Sequence, residues 1–115
     1  NPVVRQKLAE MATSIRAMHQ LTYRMAWMED AGLDVSGIAS IARVFSVEAW
    51  LKFNSVAMQI LGLGGQLRAG SRYAPLGGIM AWRYEYDAIQ YFTRGSPSYI
   101  KSVIATHELG MPESW

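Results

Sequence analysis

"VRQKLAEMATSIRAMHQLTYRMAW", residues 4–27, decides the fold. Leu8, Met11, Ile15, Met18, Thr22 and Met25 recur in it at alternating steps of three and four, and Val4 extends the row upstream. That rhythm lines one face of an α-helix. Asn1 is suited to cap the helix and Pro2 to open it, since the first helical N–H has no partner to lose. The spacing predicts a helix running to about Gly32. Four of the seven methionines, Met11, Met18, Met25 and Met28, lie here. At bundle spacing a flexible thioether reads as core filler rather than as an adaptable binding surface.

"AGLDVSG", residues 31–37, reads as a turn, with Gly32 stopping the first helix and Ser36 capping the second. The second helix is predicted from about Gly37 to Leu61. Ile41, Val44, Val47, Leu51 and Met58 share a broad face, while Phe45, Trp50, Phe53, Val56 and Ile60 fall on others. A helix apolar nearly all round is expected to be sandwiched between neighbours, some of them on another subunit or on an upstream segment.

"GLGGQLRAGSRY", residues 62–73, breaks the pattern. A helix is predicted to resume at about Pro75 and run to residue 92. Gly95, Ser96 and Pro97 interrupt again, with Ser96 as cap and Pro97 as first residue of a last helix. Tyr99, Val103 and His107 are expected on one face of it, flanked by Ile100 and Ile104. Gly110 and Pro112 end it. No stretch alternates as a strand does. The expectation is an all-α, up-down bundle of two long helices and two shorter ones.

At 115 residues the chain fits one domain, and half of it is apolar, enough to fold. No apolar run approaches the ~20 residues that span a bilayer. No signal-peptide pattern opens the chain, and a cytoplasmic location is expected. Asn1-Pro2 reads as an internal or processed beginning, so a longer parent is expected. The absence of cysteine excludes disulfides and thiolate chemistry. The net charge of +2 comes from scattered residues, which argues against nucleic acid. His19 and His107 are far apart in sequence, so no metal site is expected.

Two features bear on chemistry. Consecutive backbone N–H groups in the glycine loop could cradle a phosphate, with Arg68 and Arg72 adding charge. The loop follows a helix rather than a strand, however, which is neither a dinucleotide fingerprint nor a P-loop context. A glycine helix stop followed by a flexible connection accounts for the local pattern more simply. Glu85 and Asp87, two apart on a helix, do not share a face and read as surface charges rather than as a carboxylate pair.

Three stretches together carry a resemblance: the opening one, "SVAMQILGLGG" at 55–65 and "RGSPSYIKSVIATHELGMP" at 94–112. Their order and spacing resemble the C-terminal helical domain of the acyl-CoA dehydrogenases from end to end of the chain. The resemblance begins at the second helix of that four-helix bundle, so residues 1–115 would be the domain without its first helix. It implies a bundle that builds dimer and tetramer contacts, as a homo-oligomer or with a related acyl-CoA dehydrogenase subunit.

The family's Gln-Ile-x-Gly-Gly-x-Gly loop touches the adenosine and pyrophosphate of an FAD held mainly by a neighbouring subunit. Gln59, Gly62 and Gly65 match it, and Leu63 stands at a family glycine. The family's Glu-Gly-Thr turn carries the base that removes the substrate α-proton and also approaches the flavin nucleotide. Gly95 and Ser96 match, while Arg94 occupies the position of the Glu.

The resemblance implies FAD in the full-length parent, none held tightly by this chain alone, and no activity in the isolated chain. The parent's reaction would be α,β-dehydrogenation of an acyl-CoA thioester in fatty acid or steroid side-chain catabolism. A non-catalytic partner subunit or assembly module is the alternative, since some bacterial members pair a catalytic subunit with one lacking the base. An unrelated four-helix interaction domain would share the helical patterns alone.

Overall fold

The structure, a computed structural model, describes residues 1–93 and 95–112. Helix α1 spans Pro2–Asp30 and α2 spans Ser36–Leu61. A 3₁₀ turn, Gly62–Gln66, follows, then a loop and a second turn, Pro75–Gly78. Helix α3 is Ile79–Thr93, and α4 is Pro97–Val103, continuing as a wider π turn over Ile104–Glu108. No strand occurs among the described residues.

The ends of α1 follow the sequence expectation. The Asn1 side chain accepts from the Val3 N–H at 2.9 Å. At the other end the Gly32 N–H donates to Glu29 and the Leu33 N–H to Met28, a Schellman closure. The cap of α2 differs. Ser36 is already helical, and Asp34 supplies the acceptor: one carboxylate oxygen takes the Ser36 N–H at 2.9 Å and the other its hydroxyl at 2.8 Å. A carboxylate two residues earlier has two oxygens, one for the first helical N–H and one for the serine hydroxyl.

Helix α2 is the central rod. Helix α1 lies antiparallel on one side, as Lys52 pairs with Glu10 at 3.0 Å and Lys7 with Gln59 at 2.5 Å. Helix α3 lies along the C-terminal half of α2, where the Asn54 amide donates to Asp87 at 2.6 Å. Helix α4 lies along the N-terminal half, where Lys101 meets Glu48 at 2.5 Å and the Glu108 carboxylate closes on Gly37. The two shorter helices therefore run in tandem, both antiparallel to α2, rather than as an antiparallel pair.

Two further expectations change. The third helix starts at Ile79, not Pro75, because Leu76, Gly77 and Gly78 take left-handed backbone angles that a right-handed helix cannot include. On α4, Tyr99 and His107 point to solvent, while Pro97 is fully buried and Ile100, Val103 and Ile104 are half-buried. The Ser96 side chain makes no capping bond, although its carbonyl accepts from Ile100 at 3.1 Å.

The core is small: Val44, Ala49, Phe53, Val56 and Ala81, with Asn54 the buried polar residue. No residue of α1 is fully buried. Its seam onto α2 runs through Val4, Lys7, Met11, Ser14, Met18, Leu21 and Met25. Of the opening row, Leu8 and Ile15 stay exposed. On α3, Ile79, Trp82, Tyr86 and Ile89 form an outward stripe at three-four-three spacing, with Trp82 stacked on Tyr86 at 4.8 Å. The radius of gyration is 17.6 Å, against ~13 Å for a compact domain of this length. Three rods in a row leave apolar faces in water.

Candidate functional site

The C-terminal end of α2 builds the candidate site. Gly62 ends the helix with φ +58° and ψ −139°, a conformation open essentially only to glycine. It turns the chain out over an open groove of ≈ 830 Å³ between the end of α2 and the start of α3. Ser55, Met58, Gln59, Gly62, Leu63 and Gln66 form one wall, and Ala81, Tyr84 and Glu85 the other, with Arg68 between. No atom outside the neighbouring backbone lies within 4 Å of where a Gly62 Cβ would be, so the main chain there faces open space.

Arg68 donates to Glu85 at 2.7 Å and closes one end of the groove. Both side chains are largely exposed, so the pair orients the loop more than it stabilises the fold. Behind the loop, a Cβ on Gly78 would collide with the backbone of Arg68 and Ala69, so glycine lets the second turn pack against the loop that carries Arg68.

The structure brings Gln59 and Gly62 together on this groove. Gly65 is buried instead, and a Cβ there would press on Leu61 and Met58 at 3.1 and 3.2 Å. It packs closely against the end of α2. Gly95 and Ser96 sit at the α3–α4 junction and line no part of the groove. Arg94 lies outside the described residues. Glu85 and Asp87 diverge as expected, one to Arg68 and the other inward to Asn54. Asp87 is half-buried rather than a plain surface charge.

Sequence reasoning missed Lys7. It occupies a position on the seam of α1 between Val4 and Met11, and its ammonium reaches the Gln59 carbonyl oxygen. A cation inside a largely apolar three-four row was the available signal. Among the described residues no group of three or more histidines or carboxylates could hold a metal ion. No helix of the described residues is long and apolar enough to cross a membrane.

Residues 1–83 match the family described as acyl-CoA dehydrogenase, C-terminal domain. Two solved structures share the fold. One is the "Tcur3481-Tcur3483 steroid ACAD", at TM-score 0.89, 25% identity and 99% coverage of this chain. The other is a glycine-to-alanine variant of it, at TM-score 0.87 and the same identity and coverage. The chain spans 30% of the length of either. An unrelated interaction bundle is thereby set aside: the chain belongs to the acyl-CoA dehydrogenase family, with the fold of the family's C-terminal helical domain.

Proposed function

We propose that the chain is the C-terminal domain, without its first bundle helix, of an FAD-dependent acyl-CoA dehydrogenase acting in the cytoplasm on an acyl-CoA thioester. It would supply subunit contacts and part of the FAD site. The observation that carries this reading is the open groove at Gln59 and Gly62, with exposed main chain and Arg68 at its end. These residues fit the pyrophosphate side of a dinucleotide: the glycine admits close approach, and Gln59 and Arg68 offer polar and cationic donors. FAD, when bound, supplies the acceptor for the hydride leaving the acyl chain. Gly95 and Ser96, away from the groove, would approach a second flavin, which suits an oligomer in which each flavin is shared. Gly65 would support the loop from behind.

The exposed apolar faces support assembly. Leu8 and Ile15 on α1, and the Ile79–Trp82–Tyr86–Ile89 stripe on α3, need covering. A preceding helix and a second subunit, either a copy or a related chain, would cover them.

A second reading has its own observation. With Gly95-Ser96 read as the family's Gly-Thr turn, Arg94 would take the position of its base. A guanidinium has no acceptor and stays protonated, so it cannot take an α-proton. The parent would then be a partner subunit without a base, or would draw its base from an upstream helix. The steroid ACAD it resembles carries two designations in its name, which fits a two-chain enzyme.

The test is to purify the full-length protein that contains this chain, alone and with any related subunit encoded beside it. Retained flavin that bleaches with acyl-CoA in the single protein supports the first reading, with the base on an upstream helix, and overturns the base-less partner subunit. Bleaching only in the paired preparation supports the second. A preparation that retains no flavin in either form overturns both.

A further inference from the structure

We propose that Lys7 is a positioning residue that sets the polarity of Gln59, so that Gln59 presents its N–H groups to an acceptor oxygen of the ligand. The inference rests on reading the groove as a nucleotide pyrophosphate site. Three observations carry it. Lys7 is half-buried on the α1–α2 seam. The ammonium donates to Gln59 Oε1 at 2.5 Å. Gln59 also lines the groove beside Gly62.

An ammonium has only donors, so the atom facing it must be the carbonyl oxygen of the amide. The nitrogen then faces away from Lys7. It donates weakly to Ser55 Oγ at 3.4 Å, which leaves its second N–H for the groove. The Lys52–Glu10 pair, one helical turn along from Lys7, holds the two helices in the register that this bond needs. The preferred ligand atom is therefore an acceptor, such as a pyrophosphate oxygen, rather than a donor such as an exocyclic amine.

The experiment titrates the flavin-free full-length protein with ADP by calorimetry, with adenosine as control. ADP should bind more tightly than adenosine. Lys7→Met keeps the apolar seam and should weaken ADP binding about tenfold, while Lys7→Arg restores it. Gln59→Glu keeps an oxygen for Lys7 but loses the donor, so binding should vanish while the melting temperature holds or rises. If Gln59→Glu abolishes binding and Lys7→Met leaves it unchanged, the role of Lys7 falls and the groove reading stands. If ADP does not bind the unmodified flavin-free full-length protein, the groove reading falls and the inference with it.

Discussion

Asn54 and Asp87 meet across the α2–α3 seam, the buried amide donating to the carboxylate at 2.6 Å. The bond is charge-assisted and ties α3 to the central rod at the level of Phe53. Removing the acceptor strands a buried amide. Asp87→Ala should therefore cost about 1–3 kcal/mol, and Asn54→Leu with Asp87→Leu together should cost less than the two changes added. Denaturant melts of Asp87→Ala, the two single leucine variants, the double variant and the parent chain check this. Simple additivity would mean that the pair is not coupled.

Two glycines should respond to alanine for different reasons. Gly62→Ala forces a side chain into a left-handed, extended angle and should cost about 1–3 kcal/mol. Gly78→Ala adds to its own positive φ a collision with the Arg68–Ala69 backbone, so it should cost more. Gly65→Ala meets mainly the flexible end of Met58 and the Leu61 Cβ, and should be the mildest of the three. Thermal melts rank them, and a ranking with Gly65→Ala worst would refute the packing described.

The stripe on α3 predicts self-association. Trp82 is 55% exposed and Ile89 59%. Aromatic residues of this kind carry much of the energy of protein interfaces. Trp82→Glu should raise the dissociation constant of any self-association about tenfold or more and leave the melting temperature of the dissociated chain unchanged. Sedimentation equilibrium reads the first and calorimetry at low concentration the second. Unaltered association would place the contact elsewhere, with the Leu8–Ile15 face of α1 next in order.

The acid side of the stability profile follows from two carboxylates. The Lys52 ammonium holds Glu10 below the usual carboxylate range. The Ser36 N–H, then its hydroxyl, do the same for Asp34. The unfolded chain protonates these groups at higher pH than the folded chain does. Their stabilisation is therefore complete above ordinary carboxylate values, ~4, and is lost as pH falls through the lowered ones. Lys101, raised by Glu48, behaves oppositely: its contribution is complete below the ordinary lysine value, ~10.4, and is lost as pH rises through the raised one. Melting temperature should plateau between these limits. Asp34→Asn keeps an oxygen acceptor but does not titrate, so it should flatten part of the acid slope. An unchanged slope would show that Asp34 is not involved.

Periodicity made the helices legible, but not which part of each face is covered. The opening row joined two heptad lines, Met11–Met18–Met25 and Leu8–Ile15–Thr22. Only the first packs on α2, because a single neighbour covers a narrow strip. Helix α2 read correctly as apolar all round, yet Ile41, Trp50 and Ile60 remain exposed, since three rods flank it on two sides only. Gln59 and Gly62 were legible as a motif. Lys7 was not, because 52 residues separate it from Gln59 and only the hairpin brings them together.

Arg94 gives the last prediction, from its chemistry alone. A general base contributes ~10²–10⁴-fold to the step it serves. If Arg94 has no part in proton transfer, Arg94→Ala in the full-length protein, assayed with its partner where one is required, should fall well short of that loss. Arg94→Glu would place a carboxylate at the position proposed above for the family's base. In a parent whose base lies elsewhere it should add little, because a second carboxylate has no proton left to take. In a partner subunit without a base it should add activity only if acyl-CoA also reaches that subunit's flavin. The assay is acyl-CoA-dependent reduction of an artificial electron acceptor, with circular dichroism to confirm folding. Loss of turnover by 10²-fold or more in folded Arg94→Ala would put the arginine in the reaction itself, most directly as a charge held against the thioester or the flavin.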